Sequence, residues 1–221
     1  MSLPQPGLDF LMDLAENNNK EWFQANKKRY ERELKNPARA LVEQVNAELE
    51  GFAPDHVTPA GKAINRINRD IRFSKDKTPY NTHLWAGFHN QTRPKGAGAA
   101  YYFGLSADSF GVGAGCWMPP PDRMQALREH IAEHHEQLAS ILAELEGTFQ
   151  PLSGTAYKRV PKPWDADHPA AELLKFKGMH TRVELDPALA TQPKAVAEIA
   201  KHLRLLKPLV DFLEDGLGRG L

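Results

Sequence analysis

Ala99-Ala100-Tyr101-Tyr102-Phe103-Gly104-Leu105-Ser106-Ala107-Asp108-Ser109-Phe110-Gly111-Val112-Gly113-Ala114-Gly115-Cys116-Trp117-Met118 is the stretch whose reading decides the fold. Two alternating runs, Ala99 to Ser106 and Gly111 to Met118, flank Ala107-Asp108-Ser109-Phe110 and predict a β-hairpin. Parity selects its register. An even-length loop sets Tyr101, Phe103 and Leu105 beside Val112, Ala114 and Cys116 as one apolar face. It also sets Tyr102, Gly104 and Ser106 beside Gly111, Gly113 and Gly115, whereas an odd-length loop would mix the two sets. The second face is then nearly bare of side chains, so another element or a ligand should approach its backbone closely.

Working outward, Leu84-Trp85-Ala86-Gly87-Phe88 is a further strand. So is Ala63 to Lys75 by alternation: Ile67, Ile71 and Phe73 fall on one face, and Arg66, Asn68, Asp70, Arg72 and Ser74 on the other. Arg69 is the misfit, since parity puts it on the apolar face. Two more strands are expected around Ala156 to Val160 and Thr181 to Leu185.

Helices flank this region on both sides. Leu8, Leu11, Met12 and Leu14 have helical spacing up to Asn17-Asn18-Asn19, and Trp22, Phe23, Asn26, Tyr30 and Leu34 share one side of a second helix. Asn36-Pro37 has the form of a cap and first turn for a third, which Gly51 stops. After Pro119-Pro120-Pro121 a long helix is expected from about Asp122 to Glu146, with a short one after Asp167-His168-Pro169. A final helix runs from about Pro193 to Glu214, kinked at Pro208. The predicted class is α+β: a single antiparallel sheet of about four to six strands, covered by N-terminal and C-terminal helices. It forms one globular domain over residues 1–221, with Gln91 to Gly98 as a mobile basic loop.

Lys plus Arg and Asp plus Glu both number 28, so the formal charge is zero. A protein that coats nucleic acid is usually basic overall, which puts that partner second. The single cysteine, Cys116, cannot form an internal disulfide. There is neither a membrane-length apolar run nor a signal-peptide pattern, so a cytoplasmic protein without a membrane partner is expected.

The chemistry concentrates between Arg66 and Tyr80. Arg66, Arg69, Arg72, Lys75 and Lys77 surround two carboxylates, Asp70 and Asp76. Guanidinium forks hold phosphate or carboxylate oxygens in pairs, and a Ser hydroxyl or Asn amide can complete the shell. Arg66 and Arg72 would grip an anion, with Asn68, Ser74, Lys75 and Lys77 beside them and Tyr80 or Trp117 stacking on an organic part. The competing reading pairs every cation with an internal carboxylate and leaves a structural network. Arg69 is read as a clamp to Asp9, Asp13 or Glu16.

Other groups are weaker candidates. His83 reads as a surface residue, although it could serve as acid or base. His130 and His134 are one helical turn apart but carry no zinc signature, and His134 falls on the apolar seam. No metal site is expected. No P-loop, dinucleotide fingerprint or nucleophile elbow occurs, so no cofactor and no catalytic residue are assigned. Cys116 reads as an inert packing residue.

Asn17-Asn18-Asn19-Lys20-Glu21-Trp22-Phe23 with Asn26-Lys27 and Tyr30, the run from Arg66 to Tyr80, and Gly113 to Pro119 resemble the domain-of-unknown-function 2461 family. Arg159-Val160-Pro161 and Asp167-His168-Pro169 with Leu173-Leu174-Lys175 fit it as well. Asn81 stands where that pattern leads one to expect lysine, so one cation of the patch is missing. The resemblance covers nearly the whole chain and implies a single-domain bacterial protein. It brings no activity with it. The functional expectation is therefore binding of a small anionic ligand, such as a phosphorylated compound, through Arg66 to Tyr80. A nucleic-acid module or a structural protein is the alternative, and whether chemistry follows binding is left open.

Overall fold

The computed structural model describes residues 2–219. Its centre is one antiparallel sheet in the order β1 (Leu84–His89), β2 (Ala100–Leu105), β3 (Phe110–Cys116) and β4 (Met179–Leu185). Tyr101 pairs with Ala114, Phe103 with Val112 and Leu105 with Phe110, while Tyr102 faces Gly113 and Gly104 faces Gly111. This is the register that parity requires.

Helices precede and follow the sheet. Before it come α1 (Gln5–Glu16), α2 (Lys20–Ala25), α3 (Lys27–Arg29), a π-helical turn over Tyr30–Lys35, α4 (Asn36–Glu50) and α5 (Ala60–Ala63). Between β3 and β4 lie α6 (Pro121–Glu133), α7 (His135–Leu145) and α8 (Ala171–Leu174). The chain ends in α9 (Ala195–Leu205) and α10 (Lys207–Gly218). Among the described residues no helix is long and apolar enough to cross a membrane.

One face of the sheet is sealed. Leu84, Ala86 and Phe88 of β1 meet Tyr101, Phe103 and Leu105 of β2, then Val112, Ala114 and Cys116 of β3, all buried. Ile199 and Leu203 of α9 and Leu209, Val210 and Leu213 of α10 are buried in the same core, and both helices pack on β3. Each large side chain sealed there contributes about 1.5–3 kcal/mol of hydrophobic free energy. Cys116 is part of this packing, and burial pushes its thiol up to about 11, which suits an inert residue.

Several local readings are corrected. Ala63 to Lys75 is not a strand; its one backbone bridge to the sheet among the described residues is Ile64–Ala86. Ala156 to Val160 is not one either, since only Ala156 bridges, to Phe176. The helix expected from Asp122 to Glu146 breaks at His134, whose φ of −118° leaves the helical region and separates α6 from α7. Asn36 caps nothing, because the backbone stays helical from Lys35 through Asn36. The final helix divides at Leu206, two residues before Pro208, as that proline requires.

The Gln91 to Gly98 loop is tied down. Arg93 Nε donates to Glu214 Oε2 at 3.1 Å, and the Ala99 N–H donates to Oε1 at 2.6 Å. Glu214 thus anchors α10 to the start of β2. His56 lies in the same polar pocket, its Nε2 3.9 Å from Glu214 Oε1 and its ring edge-on to Tyr101. Burial lowers the His56 pKa to about 4, with Asp55 and Asp211 opposing and His89 reinforcing the shift. A histidine kept neutral this way stabilises the fold above its unfolded pKa, near 6.5, and that stability is lost as pH falls toward about 4. Glu214, raised by burial, acts in the opposite sense. Denaturant unfolding should therefore show stability falling between about pH 6.5 and 4, with a shallower slope in His56→Gln.

Candidate functional site

The charged segment is an ordered loop on a braced frame. Its two limbs zip briefly: Asn68 bridges to Tyr80, the Arg69 N–H donates to Pro79 O at 2.9 Å, and the Asn81 N–H donates to Ile67 O at 2.7 Å. Asn81 Nδ2 adds a bond to Arg66 O. The Asn18 side chain, from the turn between α1 and α2, accepts from the Tyr80 N–H at 3.0 Å and donates to Tyr80 O at 2.9 Å. Tyr80 is buried and stacks on Phe23 with ring centroids 4.1 Å apart. It is therefore an anchor of the loop, with its ring already in a stack.

Beyond the zipped base the loop neutralises part of its own charge. Arg69 pairs with Asp76 at 2.6 Å and donates to Thr78 O and its hydroxyl. The expected partners on α1 do not hold it, and Asp13 is engaged by Arg29 instead. Asp76 is pushed down to about 2, first by the Thr78 N–H and then by Arg69 and the Thr78 hydroxyl. Asp70 accepts twice from the Arg72 guanidinium, at 2.9 and 2.6 Å, and once from the Arg72 N–H. That pair is exposed, so it contributes little stability. Lys77 Nζ reaches the Ile71 carbonyl at 2.9 Å. Among the described residues Arg66, Lys75 and Lys77 have no carboxylate partner.

Phe73 stands at the tip with 95% of its surface exposed, and the Arg72 guanidinium lies 5.8 Å from its ring centroid. Asn68 and Ser74 sit on the same loop, Asn68 at its zipped base and Ser74 in a turn whose N–H donates to Ile71 O. Trp117 is not with them. It follows β3 at the end remote from Leu84 and Phe110, roughly 20 Å along the strand, and its ring lies beside His180.

Two large concavities among the described residues are not lined by the loop's cations. One of them, of 640 Å³, lies over the open face of the sheet. Its floor is the glycine face of the hairpin, Gly104 and Gly111, with Trp85, Tyr102 and Arg182 around them. The Trp85 indole lies across Gly104, where a Cβ would come within 2.7 Å of Cζ3. Tyr102 stacks on the indole with centroids 4.5 Å apart, and its hydroxyl donates to Thr181 O. Glu16 and Met12 of α1 form one wall, Asp108 of the hairpin turn another, and Thr82-His83 of the charged loop a third. Burial and the nearby Arg69 lower the His83 pKa.

Sequence reasoning found the bare hairpin face and put Tyr102 on it, but missed Trp85 and Arg182 as its lining. The signal was present, because a tryptophan opposite a glycine across β1 and β2 must lie over it. His130 and His134 stay side by side, ring centroids 4.7 Å apart, but His130 is buried while His134 is half-exposed and meets Arg219 at 2.8 Å. No group of three metal-ligating side chains converges among the described residues. Ser153 Oγ lies 3.4 Å from His180 Nε2, but the buried Nδ1 of His180 has no partner, so no third group orients the base.

The fold and this geometry define an α+β protein with a four-stranded sheet open on one face. A family model described as "Conserved hypothetical protein (DUF2461)" matches residues 7–212, and the chain belongs to that family. No curated protein matches the chain.

Three substitutions, one of them a control, test the frame. Gly113→Ala puts a Cβ 2.5 Å from Tyr102 Oη and closer still to the Thr181 carbonyl. It should cost about 1–3 kcal/mol in denaturant unfolding. Gly61→Ala, with no atom within 4 Å, should stay within about 1 kcal/mol of the parent. Asn18→Ala leaves both Tyr80 backbone groups unpaired, so it should cost about 1–3 kcal/mol and speed hydrogen exchange at Arg69 and Asn81.

Proposed function

We propose that the loop from Arg66 to Lys77 is a binding surface for a phosphate-bearing ligand laid across it. One observation carries this reading: both carboxylates of the loop are engaged within it, while Arg66, Lys75 and Lys77 keep uncompensated charge on an anchored frame. The exposed Phe73 ring beside Arg72 supplies a face on which a flat group can stack. Asn68 and Ser74 add neutral hydrogen-bonding groups on the same loop.

The cations are displayed on the surface rather than gathered in a hollow, which favours an extended ligand over a lone small anion. A short single strand of nucleic acid has the matching chemistry: a base for Phe73 and phosphates for the cations. The zero net charge of the chain supplies no long-range attraction, so binding depends on these local contacts and is salt-sensitive.

The test is anisotropy of a labelled oligothymidylate across a salt series. Three phosphate contacts at about 0.7 each give a log–log slope of about −2. Phe73→Ala should weaken binding roughly tenfold, and Lys75→Glu should flatten the slope. Protection of the fold by pyrophosphate without oligonucleotide binding would move the reading to a small anion. No response to either probe would assign the cations to the scaffold and overturn the proposal.

A further inference from the structure

The cleft over the open sheet face differs in sign from the loop beside it. Its floor is aromatic and glycine, and its free charge is negative. Glu16 and Asp108 carry carboxylates with no cation partner among the described residues; Asp108 accepts only from the Ser106 hydroxyl, at 2.7 Å. The one guanidinium in the lining, Arg182, is paired with Glu184, and Glu184 also accepts from Ser109. His83 sits below its usual pKa because burial and Arg69 both disfavour its charged form, so near neutral pH it adds no positive charge.

We propose that this cleft binds an organic cation: an amine carried on a flat or apolar body that rests against Trp85 and the glycine floor, with its ammonium between Glu16 and Asp108. The volume of 640 Å³ falls within the usual range for small-molecule sites. The indole is half-buried with Tyr102 stacked on it, and such an electron-rich aromatic pair in the lining favours a nearby cation. Trp85 already covers Gly104, so the ligand body would rest on the indole there; over Gly111, where a Cβ would meet nothing nearer than 3.7 Å, the floor stays low. Met12, 52% exposed on α1, offers a flexible apolar contact at the mouth. An anion of the same shape meets two like charges and no free cation. The inference does not depend on the loop's role, since the two surfaces share only the Thr82-His83 corner.

Phenethylamine and hydrocinnamate form the decisive pair, with the same ring and similar length but opposite charge. Calorimetric titration of the full chain near neutral pH should show the amine binding and the acid at least about tenfold weaker. The double substitution Glu16→Gln with Asp108→Asn changes two exposed side chains, and its melting temperature should match the parent. It should weaken the amine by about tenfold or more and narrow the gap between the two compounds. Binding of the acid as tightly as the amine, binding of neither, or indifference of the amine to the double substitution would each overturn the proposal. None of these outcomes bears on oligonucleotide binding by the loop, so the two readings fail separately.

Discussion

A sheet with one sealed face and one open face governs this molecule. The sealed face is a continuous apolar layer of Leu84, Phe88, Tyr101, Phe103 and Val112, with α9 and α10 packed on β3 and α5 on β1, and hydrophobic burial there fixes the register of every strand. A slip of one residue would carry those side chains to the opposite face. The register so fixed leaves Gly104, Gly111, Gly113 and Gly115 on the open side. The cleft is thus a by-product of core packing: the residues that could have filled it are absent, and Trp85 and Tyr102 reach in from β1 and β2 to cover only part of the floor.

The charged loop rests on a different kind of constraint, made of polar bonds rather than burial. Asn18 holds Tyr80 by both its backbone groups, and Arg69, Asp76 and Thr78 knot the exit limb. Two of the five cations are neutralised by this knot and by the Asp70–Arg72 pair. The rest are displayed to solvent on a frame that persists without them, which separates the structural part of the cluster from the part free to meet a ligand.

The hairpin and its two-sided character were legible because parity is a strict rule once one face must be apolar. Most helix spans were legible from their spacing for a similar reason. The stretch from Ala63 to Lys75 misled because Ile67, Ile71 and Phe73 alternate like a strand, yet Asp70, Asp76 and Thr78 bond to nearby backbone and side chains and so compete with ladder formation. Phe73 then has nothing to pack on. The break at His134 had no local signal either: the apolar seam runs on through it, and its imidazole meets Arg219 from the far end of the chain. The loop candidates were found as a group, but Trp117 was joined to them by chemistry alone, and only the strand direction shows that it stands at the other end. The Glu214 anchor of Arg93 depends on contact across 121 positions, which no local pattern encodes.

Because the indole of Trp85 lies across Gly104 on the neighbouring strand, these two positions behave as one volume shared between two backbones. Enlarging residue 104 alone drives it into the ring, and shrinking residue 85 alone opens a void. An exchange of the two residues would keep the volume while carrying the aromatic plane sideways by one strand spacing, about 4.8 Å. Descendants of such a sheet could therefore reshape what sits on it by trading bulk between adjacent strands, leaving the sealed side untouched.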